Sequence, residues 1–170
     1  MTPHALTLDT GARELRAADR LLHALAAGPA LPEDVFGCTH LVRGDRPRVA
    51  VSLTFASEPL LRTARERLTA DGHRVTAGVP DPYGRAVLYP GAAALTGTLT
   101  VAELLGRSAI DRVARLGSPD APPPDALVAT RDHVRPQWRN GELVLTVMPA
   151  SRGVHVPIEV PDPTPCCADH

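Results

Sequence analysis

Cysteine and histidine gather at two places in this chain. One is Cys38-Thr39-His40; the other is the terminal run Pro165-Cys166-Cys167-Ala168-Asp169-His170. Thiolate and imidazole are the ligand types of zinc and other borderline-soft metals, which take four of them, or three with a position left for water or substrate. In an extended backbone residues two apart point to the same side, so Cys38 and His40 are expected to share a face. Pro157, Pro161, Pro163 and Pro165 make VPIEVPDPTPCC a stiff leader, which delivers its end to one place at low entropic cost. These features point to a metal site, with zinc as the ion, built from Cys38, His40, Cys166, Cys167 and His170, the tail folding back on the 38–40 loop. The spacing is not that of a zinc finger, being tighter than the usual gap between paired ligands, and it leaves a structural or a catalytic role open. The simpler account makes Cys38 a small buried hydrophobe and the tail a frayed end.

Other chemistries find weaker footing. Cys38 or a tail cysteine beside His40 or His170 has the parts of an activated nucleophile, but no cysteine-hydrolase signature surrounds them. Residues 100–116 begin like a helix-turn-helix, Thr-Val-Ala-Glu-Leu-Leu-Gly-x-Ser. The position six beyond Gly106 is Arg112, where that motif wants an apolar residue, so DNA binding is the least favoured reading. The alternative from another class is a non-enzymatic interaction or regulatory module that engages a protein partner through the tail or the 100–116 segment. Arg131, His133, Arg135 and Arg139 stand on one face if 128–138 is a strand, a face able to take a carboxylate or phosphate. No phosphate-binding fingerprint, Gly-x-Ser-x-Gly or His-Glu-x-x-His occurs.

Composition narrows the classes further. All 18 basic residues are arginine, as a GC-rich coding background favours, so lysine Schiff bases and the P-loop lysine are excluded. A net charge of −1 provides no long-range pull toward nucleic acid or an anionic membrane, and 3% aromatics offers few rings for base stacking. The first twenty residues carry acidic groups and no long apolar run, so neither a signal peptide nor a membrane span is expected and a cytoplasmic location follows. In a reducing cytosol three cysteines read as thiols or ligands rather than disulfides.

The elements that must position these groups are legible from periodicity. Leu15, Ala18, Leu22, Leu25 and Ala26 form one stripe of a helix over 11–27, ended by Gly28-Pro29. Val49 to Phe55 alternates as a buried strand; Ser57 caps a helix that Asp71-Gly72 stops, and strands follow over 73–79 and 85–89. A helix over 101–116 starts on a Thr100/Glu103 capping box. Gly117 to Asp125 is the strongest breaker, and the segments 128–138, 143–148 and 154–160 alternate as strands, the first two joined by an Asn140-Gly141 type I′ turn. The expected fold is a single α+β domain over residues 1–170, with a sub-boundary at 117–125 and a Pro-rich Cys/His tail over 161–170. Its sheet is mixed or antiparallel, with a β-α-β-β unit, helices on one side and a C-terminal β-meander.

Overall fold

Alternation does produce strands, though more of them and shorter than the periodicity suggests. The computed structural model describes residues 4–161. Its elements run β1 (His4–Asp9), α1 (Leu15–Ala27), β2 (Phe36–Val42), β3 (Arg48–Phe55), α2 (Glu58–Ala70), β4 (Arg74–Ala77) and β5 (Arg85–Leu88). Then come β6 (Thr98–Thr100), α3 (Val101–Arg107), β7 (Arg112–Arg115), β8 (Leu127–Ala129), β9 (Gln137–Arg139), β10 (Glu142–Pro149) and β11 (His155–Pro157). The fold is α+β, with one mostly antiparallel sheet of 11 strands in the order β4-β1-β3-β2-β5-β9-β10-β11-β8-β6, and β7 pairing in parallel with β10 off that path.

The amino-terminal half is built on β1. This strand is too short for its alternation to stand out in the sequence, yet Leu6 and Leu8 are fully buried and it lies between β3 and β4, antiparallel to both. The strands flanking α2 are therefore parallel to each other with β1 between them. The helix α1 starts four residues later than the stripe suggests. Asp9 Oδ1 and Thr10 Oγ1 accept the amides of Gly11 and Ala12, which spends two side chains able to cap the helix on a turn before it. Ala18 and Leu22 of α1 and Ala64 and Leu68 of α2 pack on Val49, Val51 and Leu53 of β3 to form the first core.

The second core lies on the other face. Cys38 and Ala86 alternate with the residues of β2 and β5 that face the first core, and they cluster with Leu143, Leu145 and Val147 of β10 and with Val101 and Leu104 of α3. The three helices thus do not share one side. The Thr100/Glu103 capping box is present, and the loop after β7 returns to the same helix, where Pro124 O and Ala126 O accept the amides of Ala102 and Val101. The expected helix over 101–116 nevertheless ends at Arg107, and 112–115 is strand β7. Arg112 pairs with Val144 of β10 there, so the recognition-helix arrangement is absent. Asn140 and Gly141 have φ of 51° and 81°, the left-handed pair that a type I′ turn requires, and β9, β10 and β11 form the C-terminal meander. Among the described residues no helix is long and apolar enough to cross a membrane.

Candidate functional site

The two halves of the sheet meet at a narrow seam. Only Arg85 and Gln137 pair in register between β5 and β9, flanked by Ala86 N–H to Pro136 O and Trp138 N–H to Gly84 O. Pro136 has no N–H to return, so the ladder stops there. Beyond it a cleft of about 640 Å³ opens between the C-terminal half of α1, the 31–35 loop, the end of β5 and the 89–96 loop. Its walls are mostly apolar, with Leu31, Val35, Val87, Leu95 and Val134 prominent; His23, Glu33, Tyr89, Asp132 and Arg135 are its charged or titratable members.

Local backbone chemistry holds the two walls in place. Gly91, at φ 83°, lies so close to the end of α3 that a Cβ would sit 2.0 Å from Arg107 O, so the 89–96 wall is fixed against that helix. Opposite it, the expected strand over 128–138 is broken by a turn in which His133 N–H bonds Thr130 O at 3.1 Å. Arg131 and Asp132 at its centre have φ of 55° and 52°, a left-handed pair without glycine that costs on the order of 1–3 kcal/mol per residue. Three bonds offset that strain. Thr130 donates both N–H and Oγ1 to Gly97 O, and Gly97 N–H donates to Asp132 Oδ1 at 2.8 Å. The proposed common strand face for Arg131, His133, Arg135 and Arg139 is lost with this turn.

Arg135 instead enters a chain of ion pairs below the cleft. Asp19 of α1 accepts from Arg85 at 2.7 and 3.0 Å and from Arg135 Nε at 3.2 Å. Arg85 also holds Glu159 through two bonds and reaches Thr39 Oγ1 at 3.1 Å, while His133 Nε2 lies 3.0 Å from Glu159 Oε1. Burial pushes both carboxyls up, but the guanidinium bonds prevail and hold Asp19 and Glu159 below the ordinary carboxylate range. Arg85 is likewise held charged, its burial outweighed by Glu159 and Asp19. Arg135 bonds Asp19 through Nε and Val134 O through Nη1 at 3.3 Å; among the described residues its Nη2 has no hydrogen-bond partner. Partial burial at the cleft edge, then Arg135 beside it, holds His23 below the ordinary imidazole range.

The expected zinc site is a correction. Among the described residues no group of three or more His, Cys, Asp or Glu side chains could hold a metal ion. Cys166, Cys167 and His170 lie outside the described residues. Cys38 and His40 do share a face, both coming within 2.9 Å of where a Cβ on Gly84 would stand. Their chemistry is committed elsewhere. Burial pushes the Cys38 thiol up to about 12, so it does not act as a free thiolate nucleophile near neutral pH. His40 Nε2 is 2.7 Å from Ser52 Oγ, and Nδ1 is 3.1 Å from Asp81 Oδ2, close enough for an ion pair although not aligned as a hydrogen bond. Carboxylate, imidazole and hydroxyl in that order match the relay behind a serine nucleophile. Ser52, however, is only 2% exposed in the middle of β3, so no substrate reaches its oxygen and the array is a buried polar link between strands.

No family model matches the chain, and no curated protein or solved structure matches it. The reading of its function therefore stands on the cleft.

Proposed function

We propose that this protein binds a small organic molecule with a largely apolar body in the cleft between α1 and the 89–96 loop. The observation that carries this reading is the pairing of an apolar cleft of about 640 Å³ with one carboxylate-anchored guanidinium, Arg135, in its wall. That volume falls within the range of small-molecule sites, about 300–1,000 Å³, and an apolar lining with a few convergent polar groups is their usual composition. The strained turn at Arg131 and Asp132 supports it, since left-handed non-glycine residues held by surrounding bonds cluster at ligand sites.

Saturation-transfer NMR over a small set of apolar acids, alcohols and amides tests it, with wild type beside Ala26→Trp. Ala26 is exposed on α1 and lines the cleft, so an indole there fills the site without entering the core. Transfer to wild type that Ala26→Trp abolishes supports the reading. Equal transfer to both proteins, or none to either, ends it.

A further inference from the structure

The chemistry of the cleft also selects the head group of its ligand, on the premise that the cleft is a binding site. From the placement of Arg135 we infer that the ligand is an amphiphilic monocarboxylate, its apolar body along the 89–96 wall and its carboxylate on the Nη2 edge of Arg135.

Three observations lead there. The first is positional: Arg135 borders both the cleft and the ion-pair chain, and Asp19 fixes its Nε side while Val134 O fixes Nη1. A guanidinium held on two nitrogens is pre-organised, so an incoming acceptor at the third meets a donor whose rotamer entropy has already been lost. The second is the charge count. Arg135 is the one arginine among the cleft residues, with Glu33 and Asp132 as the acids. Asp132 has one oxygen committed to Gly97 N–H and both acids are exposed, so they mark the rim rather than the floor. Beside that pair a phosphate dianion would bring two negative charges to a single guanidinium, whereas a carboxylate brings one. The third is His23, on the same wall. Held below its usual range by partial burial and by Arg135, it is neutral at pH 7 and offers a ring N–H without a second positive charge. The groups facing it are Arg135, Asp19 and His133, and Arg135 weighs on it more than Asp19 relieves it.

The body of the ligand follows from the walls. Ala26, Gly91, Ala92 and Ala94 are small, while Leu31 and Val87 are branched. The Tyr89 hydroxyl is committed to a 3.0 Å bond to Val134 O, so it is not a free donor to a ligand. An unbranched or singly ringed hydrocarbon fits such a surface better than a polyol.

Isothermal titration with decanoate, decanol and decyl phosphate tests the head group on wild type, Arg135→Gln and Arg135→Lys. Decanoate is expected to bind wild type about tenfold or more tighter than decanol, and tighter than decyl phosphate, the size of effect a charge-assisted bond provides. Arg135→Gln should bring decanoate down to the decanol level and leave decanol unchanged, the second result also showing that the variant is folded. Arg135→Lys should restore only part of the preference, because an ammonium lacks the fork. Equal affinity for decanoate and decanol in wild type, a decanoate preference that survives Arg135→Gln, or tighter binding of decyl phosphate overturns the monocarboxylate while leaving the cleft reading in place. Binding of none of the three removes the cleft reading itself.

Discussion

Asp19→Asn is the substitution that probes the ion-pair chain most directly. The carboxylate accepts three bonds, two from Arg85 and one from Arg135, and its side chain is only 12% exposed. An amide of the same shape keeps one acceptor oxygen and turns an NH₂ toward two guanidinium groups. Arg85 retains Glu159, so its charge stays matched; Arg135 loses the one carboxylate it holds among the described residues. Two charge-assisted bonds lost at about 1.5–3 kcal/mol each set the upper end. The desolvation that Asp19 no longer undergoes sets a discount. The expected loss is about 2–4 kcal/mol, which at about 2–4 °C per kcal/mol for this length lowers Tm by roughly 4–16 °C. Urea unfolding followed by far-ultraviolet circular dichroism at pH 7 measures it. The pH dependence fixes the cause. Asp19 and Glu159 are depressed below their ordinary values of 3.8 and 4.5, so the stability they confer is complete above those values and is lost as pH falls through their lower folded-state values. The gap between wild type and Asp19→Asn must therefore be constant above about pH 5 and narrow in stronger acid. A gap under about 0.5 kcal/mol at pH 7, or one that persists undiminished in acid, refutes the assignment of the loss to this charge.

Two further outcomes check the walls and the core. Gly91→Ala places a Cβ 2.0 Å from Arg107 O at a φ of 83°, and should cost about 2–5 kcal/mol in thermal or urea unfolding. Gly97→Ala, left-handed at φ 64° but with open space around it, should cost only about 1 kcal/mol; equal losses would show that strain rather than contact dominates. Alkylation of native protein with iodoacetamide at pH 8, mapped by mass spectrometry, should leave Cys38 unmodified until the chain is unfolded, since the thiol is buried and titrates near 12. Rapid native labelling at Cys38 would overturn that burial. Because its folded-state value lies above the ordinary 9.0, its contribution is whole below pH 9 and lost as pH rises toward 12, so stability should fall in alkali.

What the sequence discloses depends on how local the signal is. The Asn140-Gly141 turn, the Thr100/Glu103 box and the β3 alternation are each decided within a few residues, and each is found where expected. The segment 128–138 also alternates, but its outcome is set by Gly97, more than thirty residues away, whose backbone fixes the Thr130 turn. No window of periodicity contains that information. The metal reading joins two remote Cys/His clusters by ligand type and the stiff Pro-rich leader, whereas Cys38 and His40 have local partners, the core and Ser52. The ion-pair chain has a local signal of its own. Asp19 lies between Leu15 and Leu22 on the apolar stripe of α1, and a carboxylate on a buried face demands a cation.

That demand also bears on where the proposed binding cleft lies. With no lysine in the chain, every buried carboxylate must find arginine or histidine, and a guanidinium can face two acceptors at once. Glu159, Arg85, Asp19 and Arg135 accordingly alternate in sign, linking the C-terminal leader, β5, α1 and the segment before β9 across separations of 74, 66 and 116 residues. Within such an alternation each inner member is matched on both sides. The ends are not: Glu159 is met by His133, while Arg135 has, among the described residues, carboxylate on one side only. Among the described residues the unmatched end of that series is the one in the cleft wall, so the same pairing that joins the two halves of the sheet leaves a spare donor edge where Pro136 has parted the strands.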